Sequence, residues 1–140
     1  MIARYSRPQM AAIWEPENYY RIQLDIETYA CEAQARLGAI PESAARAVRE
    51  KGRVEVARIA EIERETHHET IAFLTNLAEH VGPDARFVHQ GMTSSDVLDT
   101  SFAIRLIECT DLIDRDLMAL REAVGRKAKQ YERTPMIGRS

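Results

Sequence analysis

The feature that most constrains the fold is an apolar pattern of helical period that continues without proline over residues 95–131. About 36 residues at 1.5 Å each give a helix on the order of 54 Å long. Periodic segments beyond about 25 residues are typical of bundles and coiled coils. The residues that recur along one face, here called the apolar seam, are Leu98, Phe102, Leu106, Cys109, Ile113, Leu117, Leu120 and Val124. This helix therefore needs partners that the rest of the chain does not supply.

Upstream of this segment, the boundary signals are those of shorter helices. Proline suits a first helical turn and glycine suits the residue after a helix, and such residues divide the chain into predicted helices over 8–14, 16–37, 41–52, 56–65 and 66–81. Ser6 and Gln9 have capping-box spacing at the first of these helices. No segment carries a convincing strand pattern. The sequence predicts an all-α fold, with a small N-terminal helical domain over 1–92 that leads into the first long helix of a central helical bundle over 93–140.

The charge and cysteine content exclude several classes of function. The chain has 22 acidic and 19 basic side chains, a formal net charge of −3 and no basic block, so non-specific nucleic-acid binding is not expected. Cys31 and Cys109 form no Cys-x-x-Cys pair, which favours reduced, packed thiols over a disulfide or a zinc site. The N-terminus lacks the apolar core of a signal peptide, and no apolar run reaches membrane-spanning length. We expect a cytoplasmic protein with neither nucleic-acid nor membrane partners.

Two hydroxyl-bearing turns are the candidate binding elements. The first, Thr93-Ser94-Ser95-Asp96, opens directly into the long helical segment, and the second, Thr66-His67-His68-Glu69, has a hydroxyl and a carboxylate in capping-box spacing. A helix N-terminus presents unpaired backbone N–H groups and a partial positive charge, so hydroxyls beside it can hold a carboxylate or phosphate. Two such turns suggest a polyanionic small molecule as ligand.

The residues of these turns also have a purely structural interpretation. Thr93 and Ser94 are of the type that caps a helix, and Glu69 suits a capping box. Capping and anion binding use the same donors, so the two interpretations do not exclude each other. Nothing in the apolar seam looks like a cofactor-binding motif, and no cofactor is expected.

Each of the four histidines also has a structural interpretation. His67 and His68 could be first-turn helix residues, one exposed and one packed. No metal site is expected there, because adjacent histidines point about 100° apart on a helix and the His-Glu-x-x-His pattern is absent. His80 is interpreted as a cation at a helix end, and His89 as a local packing or capping group.

The arrangement as a whole resembles the adenylosuccinate lyase family, within the fumarase/aspartase superfamily. The segments that carry the resemblance include Arg4-Tyr5-Ser6-Arg7-Pro8, Ile13-Trp14, Glu61-Ile62-Glu63, Thr66-His67-His68-Glu69, Thr93-Ser94-Ser95-Asp96-Val97 and Gly138-Arg139-Ser140. The last of these looks like the opening of the family's Gly-Arg-Ser/Thr-His-Gly motif. The resemblance implies an enzyme of purine nucleotide biosynthesis that eliminates fumarate from adenylosuccinate, giving AMP, and from the succinyl-carboxamide ribotide. It also implies a homotetramer.

The resemblance assigns roles to seven residues of this chain. By similarity, Arg4 and Tyr5 contact the nucleotide. His67, His68 and Glu69 line the site, and Thr93 and Ser94 hold the succinyl part of the substrate. His68 is the catalytic candidate, as a proton-transfer or orienting group, and the family commonly has Asp where Glu69 stands. The family's base serine and acid histidine are not present here, so these 140 residues read as an N-terminal fragment that is inactive alone.

Two other functions stay open. One is a different lyase of the same superfamily, such as argininosuccinate lyase or fumarase, against which Arg4-Tyr5 and Thr66-His67-His68-Glu69 argue. The other is a non-enzymatic helical module whose apolar seam binds a partner helix.

Overall fold

A computed structural model describes residues 2–138 of the chain, apart from the side chain of Ala3. Within these residues the chain forms helices and turns and no strand, which confirms the predicted all-α fold. The elements are a 3₁₀ helix Ala3–Tyr5, α1 Pro8–Trp14, α2 Pro16–Arg36, α3 Glu42–Lys51, α4 Val56–Thr66, α5 Glu69–Val81, a second 3₁₀ helix Gly82–Phe87, and α6 Ser94–Gln130.

Most helix ends fall where proline and glycine predict them. Pro16 is the first residue of α2, Pro41 is the N-cap of α3 and Gly52 follows its last turn. Gly38, just beyond α2, has a φ of +72°, a left-handed conformation that glycine adopts without steric cost. Gly52 is needed for a different reason, because a Cβ there would lie 2.6 Å from the carbonyl oxygen of Val48 and 3.0 Å from the side chain of Leu24.

The predicted capping box at α1 is wrong. The N-cap is Arg7, which makes no side-chain capping bond, and the Ser6 hydroxyl instead donates to the carbonyl of Ile2 at 3.0 Å. Pro8 occupies the first helical position, where its missing N–H removes one of the unpaired donors of the helix N-terminus.

The core lies between α2, α3, α4 and α5. Phe73, Leu77 and Ile59 are fully buried at its centre, and the rings of Tyr20 and Phe73 stack with centroids 5.9 Å apart. Both cysteines are free and buried, as predicted. Burial raises the pKa of the Cys31 thiol to about 11, with the charges of nearby carboxylates adding to the effect.

The first half of α6 packs on α1 and α2, and the second half leaves them. Asn18 donates to the Glu108 carboxylate at 2.9 Å, and Trp14 and Phe102 lie with ring centroids 6.2 Å apart. Between residues 113 and 130, Ala123 alone is even partly buried. Six residues of the apolar seam are 45–59% exposed: Phe102, Leu106, Ile113, Leu117, Leu120 and Val124. The described part of the chain therefore leaves most of the seam uncovered, as the sequence predicted.

Candidate functional site

The 66–69 turn is a two-residue connection between helices, and its predicted capping box is wrong. Thr66 is the last residue of α4, and Glu69 is the first of α5. His67 has a φ of 50°, and its N–H donates to the carbonyl of Glu63 at 2.8 Å. His68 is the N-cap of α5, with its Nδ1 accepting the N–H of Ile71 at 3.3 Å. The left-handed residue His67 follows the end of α4 at Thr66. The N-cap of α5 is therefore the imidazole of His68, not the hydroxyl of Thr66 that the sequence predicted.

The hydrogen bond from the Ile71 N–H determines which ring nitrogen of His68 can act as a donor toward the solvent. Nδ1 accepts a backbone N–H, so a neutral ring must carry its proton on Nε2. The side chain is exposed. His68 therefore presents an Nε2–H group outward from the start of α5, beside the partial positive charge of the helix N-terminus.

Glu69 is directed toward α2. Its carboxylate lies near Tyr19, and burial, followed by the effect of this neighbouring carboxylate, raises the pKa of Tyr19 above its usual range. Burial likewise raises the pKa of Tyr20 to about 12, with the charges of Glu69 and Glu63 contributing. Tyr19 thus stays protonated and available to hold the carboxylate. A contact between Glu69 and a substrate remains a prediction.

Tyr19 is in turn held by an arginine that the sequence analysis did not single out. The guanidinium of Arg105 on α6 lies 4.5 Å from the centroid of the Tyr19 ring and 4.9 Å from that of Trp14. Its Nε is buried without a hydrogen-bond partner in the described residues. Stacking of this kind attracts the cation to the ring faces, so α6 supports the residue that positions Glu69.

The 93–95 turn caps α6. Thr93 is the N-cap in a capping box with Asp96, whose carboxylate accepts the N–H of Thr93 at 2.8 Å. Ser94 is the first helical residue and is half-buried. First-turn amides have no acceptor within their own helix, so those of Ser94 and Ser95 point toward the position where an anion would bind.

Residues 87–90, just before this turn, are joined to α2 by several hydrogen bonds. Cys31 donates its thiol to the carbonyl of Phe87 at 3.8 Å, and the Gln34 side chain donates to the carbonyl of Gln90 at 2.7 Å. Between them, the buried carboxylate of Glu27 binds His89. This pair could not be predicted from the sequence, because its members are 62 residues apart and no local pattern links them.

The seven predicted residues fall in three segments of the structure, 3–5, 66–69 and 93–95. Arg4 and Tyr5 are exposed in the first 3₁₀ helix, with the guanidinium 4.7 Å from the ring centroid. The 66–69 turn meets α2 at Tyr19, whereas the segment before Thr93 meets it at Glu27, about 12 Å further along the helix axis. Within residues 2–138, no hydrogen bond or ion pair joins these groups. The two segments therefore contact α2 at different levels.

Part of the predicted carboxy-terminal motif can be placed. Gly138 lies in the segment beyond α6 that has no regular secondary structure, and Arg139 and Ser140 lie outside the described residues. Over the described range, no group of three or more His, Cys, Asp or Glu side chains is arranged to hold a metal ion. No helix in this range is both long and apolar enough to cross a membrane.

The described residues form five α-helices, α1–α5, followed by one long and partly unpacked helix, α6, and this arrangement is shared with a lyase of known structure. The structure superposes on a fumarate lyase from Mesorhizobium sp. BNC1 with a TM-score of 0.87 and 27% identity, over 97% of this chain and 34% of that one. A family model described as "Lyase" matches residues 3–140, and the chain belongs to that lyase family.

Individual relatives are more similar still. The chain is 45% identical to an adenylosuccinate lyase from Synechocystis sp. and 41% identical to one from Bacillus subtilis, in both cases over all 140 residues. It spans 32% of the length of each of these relatives.

Proposed function

We propose that this chain is part of an adenylosuccinate lyase, an enzyme that eliminates fumarate from adenylosuccinate, giving AMP, and from the succinyl-carboxamide ribotide. The observation that carries the proposal is the identity of 41–45% to adenylosuccinate lyases along the whole chain. The two capped turns support it independently, because a substrate with one phosphate and two carboxylates needs several anion-binding elements.

The elimination needs a base for the proton beside a carboxylate, an acid for the departing nitrogen and donors for the charge that builds between them. His68 is proposed as the catalytic residue of this chain, because its exposed Nε2–H can donate a proton or orient the substrate. The hydroxyls of Thr93 and Ser94 and the first amides of α6 are proposed to hold the succinyl carboxylates. Arg4 and Tyr5 are proposed to contact the nucleotide, and His67 and Glu69 to line the site.

The complete active site is proposed to draw its residues from several subunits of a homotetramer. The separate contacts that the two turns make with α2, about 12 Å apart along its axis, support this. The exposed apolar seam supports it as well, because contiguous apolar patches mark interaction surfaces, and long helices of this kind pack in bundles. We further propose that residues 1–92 are a separate N-terminal domain, that 93–140 begin the central bundle, and that the enzyme is cytoplasmic.

The test is a substrate panel on the full-length protein. Adenylosuccinate and the succinyl-carboxamide ribotide should each release fumarate, and argininosuccinate should not. The 140-residue chain alone should release none, because acid and base must be held together on one substrate. Cleavage of argininosuccinate in preference to the two nucleotides, or turnover by the 140-residue chain, would overturn the proposal.

A further inference from the structure

A buried acid–histidine pair lies just upstream of the 93–95 turn, and the proposed mechanism does not use it. Glu27, in the middle of α2, is fully buried. One carboxylate oxygen accepts the backbone N–H of His89 at 3.0 Å, and the other lies 2.6 Å from the Nδ1 of the same residue. Both oxygens thus bind one residue of a loop.

The backbone of His89 explains why such an anchor is needed. Its φ is 62°, a left-handed conformation that costs free energy in a residue with a side chain. Strained backbone persists only where its surroundings hold it in place. Hydrogen bonds to an ionised carboxylate are stronger than neutral ones, so Glu27 is suited to hold this conformation.

The pairing also fixes the position of a proton. A carboxylate can only accept, so the Nδ1 facing it must be the protonated ring nitrogen. The Nε2 is then the nitrogen left for other partners, on a side chain that is 19% exposed.

We propose that Glu27 is a positioning residue for the candidate active site. It holds the His89 ring with the proton on Nδ1, keeps residue 89 in its left-handed conformation and thereby sets the path of residues 89–92 into the Thr93 cap. The expected effect of Glu27 on catalysis rests on the proposed lyase function. Its expected effect on the conformation of residues 89–92 does not depend on that function.

The decisive variant is Glu27→Gln in the full-length protein, because glutamine has nearly the same shape. Its single amide oxygen can accept the His89 backbone N–H, but its NH₂ group then faces Nδ1 and requires that nitrogen to accept. We expect the ring proton to move from Nδ1 to Nε2. The matched control is Glu32→Gln on the same helix, since Glu32 pairs with Arg49 at 2.8 Å and does not bind the loop.

Three measurements are made on each protein. Solid-state ¹⁵N spectra of histidine-labelled protein, with the His89 signals assigned by their loss in His89→Asn, should show Nδ1–H in the parent and Nε2–H in Glu27→Gln. Amide exchange of residues 89–92, followed by mass spectrometry, should be at least tenfold faster in Glu27→Gln. The kcat for adenylosuccinate should fall by about 10²-fold with a smaller change in KM, the scale of a displaced active-site group. Glu32→Gln should match the parent in all three.

The outcomes are separable. Failure of the parent to cleave adenylosuccinate would refute the proposed function, while the spectra and the exchange rates would still test the role of Glu27. A parent His89 with Nδ1 unprotonated would overturn the inference without any Glu27 variant, so the test stands even if Glu27→Gln does not fold. Parent-like exchange and kinetics in Glu27→Gln, or equal losses in Glu32→Gln, would overturn it as well.

Discussion

Replacement of His68 separates its two roles, because the same ring caps α5 and is proposed to act in catalysis. In the full-length protein, His68→Ala removes both the acceptor for the Ile71 N–H and the imidazole. Loss of an N-cap costs about 0.5–2 kcal/mol, and the 3.3 Å bond at an exposed position places this one toward the lower end, at about 1 kcal/mol. His68→Asn restores a capping oxygen, since asparagine is among the best N-caps, but supplies no acid.

The two effects have separate assays. Hydrogen exchange of the Ile71 amide reports the cap directly, and a loss of about 1 kcal/mol should speed it by roughly fivefold in His68→Ala, with little change in His68→Asn. The turnover of adenylosuccinate should fall by roughly 10²-fold or more in both variants, the usual scale for a positioned acid–base group. His80→Ala, in the last turn of α5, is the control and should change turnover little. Recovery of turnover in His68→Asn, or equal losses in His68→Ala and His80→Ala, would refute a catalytic role.

Three further outcomes are expected. The 140-residue chain should self-associate in light scattering through the apolar seam, and Leu117→Glu should reduce the association; a stable monomer with α6 fully helical would contradict this. The free energy of unfolding should fall as the pH rises from about 10 to 12, because the pKa of Tyr20 is about 12 in the fold and near 10 when unfolded; Tyr20→Phe should lose this part of the pH dependence. Gly52→Ala should lower the free energy of unfolding by about 1–3 kcal/mol in urea titrations, whereas Gly125→Ala, at an open helical site, should not.

The parts of the fold that were predictable depend on local chemistry. Pro16 and Gly38 act within one turn of their own position, so both ends of α2 followed from the sequence. The long helix followed from its period. The 66–69 turn did not, because Thr66 suits either the end of one helix or the cap of the next. The structure settles the choice by extending α4 through Thr66 and placing His67 in a left-handed turn.

The sequence proposes residues for the candidate site but does not predict their arrangement. Thr93 and Ser94 are residue types that cap helices, and the structure places Thr93 at the N-cap of α6. The anchors behind the two turns are tertiary: Tyr19 and Arg105 support Glu69, and Glu27 supports His89. Such pairs join side chains far apart in the chain, so no period or motif records them. They emerge only once α2 and α6 are packed together.

The distal half of α6 links folding to concentration. Helices owe most of their stability in water to packing rather than to propensity, and within residues 2–138 the side chains of 113–130 are almost all exposed. Their helical form must then be stabilised by association, by an amount that grows with the concentration of the partner surface. Dilution should therefore melt the end of α6 before the core formed by α2, α3, α4 and α5. Assembly and the completion of this helix are in that case a single equilibrium, with a midpoint set by protein concentration as much as by temperature.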